Sequence, residues 1–70
     1  MPELPISNRI RQLRAAHSDI TQLDLAKQIG VTRQTVNAIE LGKYSPSLEV
    51  AFRIAAVFAA PLEKVFSYHK

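Results

Sequence analysis

Apolar residues along this chain recur mostly at helical spacing, and each apolar run is bracketed by residues that start or stop helices. Ser7 is a good N-cap, and Ile10, Leu13 and Arg14 follow it up to a break at Ser18-Asp19, which predicts a first helix from about Asn8 to His17. Thr21 with Asp24 three residues later has the form of a capping box with a shorter acid. A second helix therefore starts at Gln22, turns Leu25, Ala26 and Ile29 inward, and stops at Gly30, the residue best suited to a left-handed C-terminal cap. After the Gly30-Val31 turn, Thr32 caps a third helix from Arg33 to about Leu41, with Val36 and Ile39 inward and Gly42 ending it. Its outward face carries Arg33, Gln34, Thr35 and Asn37.

Lys43-Tyr44-Ser45-Pro46 reads as a loop, because a residue before proline avoids the helical region and the segment has no apolar period. Ser47 caps a fourth helix, Leu48 to about Ala59, that is apolar nearly all round with only Glu49 and Arg53 charged. One face (Ala51, Ile54, Ala55, Phe58) fills a core, and the opposite one (Phe52, Ala56, Ala59) needs cover. Pro61 fits the first position of a fifth helix through about Phe66, with Leu62 and Val65 inward. The tail beyond it is able to add a short strand against Glu3 to Ile6. The fold class is all-α: one five-helix domain over residues 1–70, with at most a short terminal β-strand pair.

A chain of 70 residues buries only about 60% of the surface its unfolded form exposes, so folds of this size lean on disulfides, a metal or a partner subunit. With no cysteine, the first and any thiolate metal site are excluded, and a second subunit is left. No 18-residue apolar run and no basic-then-apolar leader occurs, so a cytoplasmic protein without a membrane span is expected. The net charge of +3 permits binding to a polyanion but is a mild excess; its placement is more informative. Arg9, Arg11 and Arg14 lie in the first third, Arg33 and Lys43 flank the middle, and acids are thin between Asp24 and Glu40. His17 and His69 are too few and too far apart for a metal site, and the serines and threonines sit where capping explains them without catalysis. An enzyme is not expected, nor a cofactor, a metal or a small-molecule ligand.

Two short helices joined across Gly30-Val31, the second with polar side chains at its exposed start, form the arrangement that places a recognition helix in the major groove, which is about 12 Å wide. Gln and Asn suit adenine there and Arg suits guanine, and Arg33, Gln34 and Asn37 sit together on that helix.

Thr21-Gln22, Leu25-Ala26, Ile29-Gly30-Val31, Thr32 to Val36, Ile39-Glu40, Gly42-Lys43 and Pro46-Ser47-Leu48 stand in the order and spacing of a known family. Over about Asn8 to Phe66 the chain resembles the lambdoid-phage repressor and Cro family, the xenobiotic-response-element type of helix-turn-helix regulator. It is similar above all to compact single-domain members such as the cytolysin repressor. The resemblance implies that Arg33 and Gln34 reach bases, with Asn37 at a base or a phosphate. It implies that Gln22 binds a phosphate and buttresses Gln34, and that Thr32, Thr35, Lys43, Tyr44 and Ser45 hold the DNA backbone. It also implies an ion pair of Arg14 with Glu40, and a homodimer formed through Phe52, Ala56, Ala59, Leu62, Phe66 and Tyr68 on a pseudo-palindromic operator. A dimeric repressor acting by promoter occlusion is the function so implied. The rival is an antitoxin-like interaction module of the same fold that neutralises a partner protein.

Overall fold

The computed structural model describes residues 5–69. The chain forms β1 (Ile6–Asn8), α1 (Ile10–Ala16), α2 (Gln22–Ile29), α3 (Arg33–Glu40), α4 (Leu48–Val57), α5 (Leu62–Val65) and β2 (Phe66–Tyr68). The five helices enclose one core in which Ile10, Leu25, Ile29, Val36, Ile39, Ile54 and Val65 are almost wholly shielded from water. Each helix contributes the residues its period turns inward, and α2 packs against both α3 and α4.

The boundaries of α2 and α3 follow from local chemistry. Thr21 Oγ1 accepts from the Asp24 backbone N–H at 3.0 Å, and the Asp24 carboxylate accepts from the Thr21 N–H at 3.2 Å, which closes a capping box at the start of α2. The Thr21 backbone N–H, then its hydroxyl, hold the Asp24 carboxyl below the usual carboxylate range, with Lys27 adding to the effect. Because the folded state depresses this group, its support is present at neutral pH and is lost as acid protonates it. Gly30 ends α2 in the left-handed region at φ 76°. Thr32 then accepts from the Thr35 N–H at 3.1 Å and Ser47 from the Val50 N–H at 3.2 Å, starting α3 and α4.

The ends of the chain depart from the helical pattern. Ser7 is not a cap: it lies in β1, and α1 begins at Ile10, whose N–H is met by Asn8 Oδ1 at 3.2 Å. α4 stops at Val57, with Ala59 at φ 49° turning the chain away. Pro61 stands before rather than within α5, and Phe66 is extended, opening β2 instead of closing the helix. The cause is antiparallel pairing of the two termini, Ile6 with Tyr68, Ser7 with Ser67 and Asn8 with Phe66, extended by an Arg9 N–H bond to the Val65 carbonyl at 2.9 Å. Ile6 of the expected strand segment takes part; Glu3 lies outside the described residues.

Two glycines sit in the left-handed region with different surroundings. A Cβ on Gly30 would lie 3.3 Å from Arg53 Nη1, which donates to the Ile29 carbonyl at 3.2 Å, whereas a Cβ on Gly42 (φ 74°) would meet nothing within 4 Å. Gly42→Ala is expected to cost only the backbone strain, about 1 kcal/mol. Gly30→Ala should cost about 1 kcal/mol more, as Arg53 yields its bond at the end of α2. Urea melts in which Gly42→Ala is the more damaging would contradict this.

Candidate nucleic-acid interface

The left-handed turn at Gly30 and the Thr32 cap set α3 across α2, so that Val36 and Ile39 face the core and the other side is left to solvent. Arg33, Gln34 and Asn37 are exposed on that side, within the first five residues of the helix. Beside them, the Thr32 and Thr35 hydroxyls are 2.9 Å apart and hydrogen-bonded. Beyond α3, Lys43, Tyr44 and Ser45 are exposed in a loop, with Tyr44, Ser45 and Pro46 lining a shallow crevice together with Ile6, Asn8 and Phe66. Thr32 and Thr35 stand at the start of α3 and Lys43 to Ser45 follow its end in an exposed loop, and hydroxyls, an ammonium and a helix start are groups that suit phosphate oxygens.

Beneath this face a polar network joins three helices. Arg14 of α1 meets Glu40 of α3 through two parallel bonds, Nε to Oε2 at 2.7 Å and Nη2 to Oε1 at 3.0 Å. Its Nη1 donates to the Ile20 carbonyl at 3.1 Å. The two side chains are 16% and 6% exposed, so the pair is largely withdrawn from water. The hydrogen-bonded Glu40 carboxylate raises the Arg14 guanidinium above its ordinary value against the opposing effect of burial, and Asp19 adds to the rise.

Gln22 completes the network from the start of α2. Its amide nitrogen donates to Glu40 Oε1 at 3.2 Å and to Asn37 Oδ1 at 3.1 Å. The residue that Gln22 buttresses is therefore Asn37, through the network anchored on Glu40, and not Gln34 as the resemblance implied. Gln34 stands three positions before Asn37 on α3, and the Glu40 carboxylate holds the Gln22 amide at the C-terminal half of that helix.

Three features escaped sequence reasoning. Arg11 lines the same depression as Arg14, Gln22, Asn37 and Glu40, which brings a further cation to the rim of the polar face. Asn8 donates from Nδ2 to the Ile39 carbonyl at 2.8 Å, tying the β1–α1 junction to the last turn of α3. Arg53 pairs with Glu49 and bonds the end of α2. Asn8 left a signal, since Asn is a favoured residue before a helix, though its partner lies 31 positions away, and the Glu49–Arg53 pair left one in its i,i+4 spacing. The expected interface residues Phe52, Ala56, Ala59 and Tyr68 are exposed, while Leu62 and Phe66 are partly buried. Among the described residues, no group of three His, Cys, Asp or Glu side chains is placed to hold a metal. Nor is any helix there long and apolar enough to cross a membrane.

Comparison with known proteins places this geometry. A helix-turn-helix family model matches residues 10–65. The chain is 51% identical over 63 residues to an uncharacterized HTH-type transcriptional regulator of Methanocaldococcus jannaschii, covering 90% of this chain and 94% of that protein. It is 44% identical over 61 residues to another such regulator of Bacillus subtilis, covering 87% and 91%. A cryptic phage CTXphi transcriptional repressor of Vibrio cholerae is 36% identical over 61 residues, which span 87% of this chain and 54% of the repressor. The fold is similar to the crystal structure of a Bacteroides fragilis protein described as a candidate DNA-binding protein, with a TM-score of 0.76 at 24% identity over 89% of this chain and 98% of that one. The chain belongs to the helix-turn-helix family of lambda-repressor and Cro type, whose members are DNA-binding transcription regulators.

Proposed function

We propose that this chain is a homodimeric repressor that occupies a pseudo-palindromic operator and blocks the promoter it overlaps. The observation that carries the proposal is the exposed face of α3, with Arg33, Gln34 and Asn37 on a helix capped and braced from beneath. Arg33, Gln34 and Asn37 face base edges; Thr32, Thr35, Lys43, Tyr44, Ser45 and, through its backbone N–H at the start of α2, Gln22 hold phosphates on either side. Two copies related by a two-fold axis place their α3 helices in successive major grooves, roughly 34 Å apart. The likeness to a phage repressor supports repression, and occlusion needs no surface beyond the DNA-binding face.

Dimerisation is supported by apolar surface that one copy leaves uncovered. Leu48, Phe52 and Tyr68 are 66%, 56% and 68% exposed. Leu48 and Tyr68 border a groove of about 530 Å³ whose walls include Ala51, Leu62 and Phe66. An exposed apolar groove of this kind on a small domain marks an interaction site. Light scattering is expected to give twice the chain mass at micromolar concentration, and a monomer with and without DNA would refute the dimer. Selection from random duplex DNA tests the reading as a whole: it should enrich two inverted half-sites about 10 base pairs apart. Recovery of unrelated sequences alone would overturn it.

A further inference from the structure

The three arginines in the first third of the chain have three different surroundings. Arg14 is paired with Glu40 beneath the polar face. Arg9 turns toward α5, where its guanidinium donates to the Lys64 carbonyl at 3.2 Å. Arg11 stands one helical turn before Arg14 on α1 and is exposed, and among the described residues no acid lies within ion-pair distance of it. It lines a depression of about 290 Å³ whose other walls are Arg14, Gln22, Asn37, Glu40 and Leu41. Within that wall the charges of Arg14 and Glu40 cancel, so the charge that the depression offers to an anion is that of Arg11. Leu41, 60% exposed, gives the aliphatic stem of an arginine an apolar surface to lie on while its charged head stays at the water boundary.

The depression adjoins both parts of the proposed interface, since Asn37 lies on the polar face of α3 and Gln22 opens α2. A duplex seated on α3 carries its backbone past the start of α2, and so past Arg11. A guanidinium takes a phosphate through two parallel N–H bonds, and it keeps its charge at any working pH. Resting on α3 as the helix that enters the groove, we infer that Arg11 of α1 is a further phosphate-holding residue, neutralising one DNA phosphate in each half-site. It adds affinity for every duplex and carries no sequence preference. Of the cations that the first third supplies, Arg11 is the one that acts on DNA.

The test is the slope of log affinity against log salt, measured on mixed-sequence duplex DNA so that no operator need be known. Arg11→Gln and Arg11→Ala should each flatten it by about 0.9 for a single half-site, or about twice that for a dimer, and weaken all duplexes alike. Arg11→Lys should keep the slope, because the charge is kept, while binding less tightly for want of the paired N–H bonds. Arg9→Ala removes the same charge from the α5 side and should leave the slope unchanged. Thermal melts of the four variants should lie close to the parent, since both side chains are exposed. An unchanged slope in Arg11→Gln, a lysine variant as flat as the glutamine one, or equal flattening by Arg9→Ala overturns the inference. If Lys43→Ala flattens the slope where Arg11→Gln does not, the proposed interface stands without Arg11. If neither does so in a parent that binds DNA, the proposed interface itself is wrong.

Discussion

Glu40→Ala should destabilise the domain by about 3 kcal/mol, the lower part of the range for removing one member of a buried ion pair. Its carboxylate is nearly enclosed and receives three hydrogen bonds, two from Arg14 and one from Gln22. Removing it strands the Arg14 charge in a site where water has little access, and the bond from Arg14 to the Ile20 carbonyl compensates only in part. Glu49→Ala is the matched control. Glu49 also pairs with an arginine, but its side chain is 72% exposed and an i,i+4 surface pair contributes little, so a loss under about 0.5 kcal/mol is expected. Urea melts compare the two directly, and equal stabilities would exclude a structural role for the Arg14 pair. Replacing Arg14 and Glu40 together by apolar residues of similar volume should recover much of the loss, because the largest cost lies in leaving one charge unpartnered.

Removing a base-reading side chain and removing a phosphate-holding one should leave different signatures. Arg33→Ala or Gln34→Ala is expected to cost about 1–3 kcal/mol per half-site on the preferred operator and to relax preference at one or two base pairs. Both side chains project from the solvent side of α3 with the fold complete beneath them, so stability should hardly change. Lys43→Ala should weaken all duplexes alike and flatten the plot of log affinity against log salt by about 0.9 for each phosphate no longer neutralised, or about twice that for a dimer. Titrations across salt and across single-base variants separate the classes. If Arg33→Ala weakens specific and non-specific duplexes equally, its guanidinium holds phosphate and does not read a base.

Most of the helical scaffold was legible from residue order alone, because its signals act over three or four positions. The Thr21–Asp24 box, the Thr32 and Ser47 caps and the left-handed Gly30 are contests between neighbouring backbone and side-chain groups, and they place α2 and α3 within a residue of expectation. The burial of Leu25, Ala26, Ile29, Val36, Ile39 and Ile54 follows from the helical period in the same way.

What depended on the folded chain involves partners far apart in sequence. Ser7 and Phe66 carry good local reasons to be a cap and a helix residue, yet both are drawn into strands by pairing across the whole length of the chain. The direction of the Asn37 amide is decided by a carboxylate on its own helix, a glutamine from α2 and an arginine from α1, which only packing brings together. Sequence by itself determined which residues form α3 and which side of it is polar, since both are set within one turn. The tertiary structure alone decided which polar groups are tied to one another across α1, α2 and α3, because those hydrogen bonds join residues that a linear sequence leaves uncommitted.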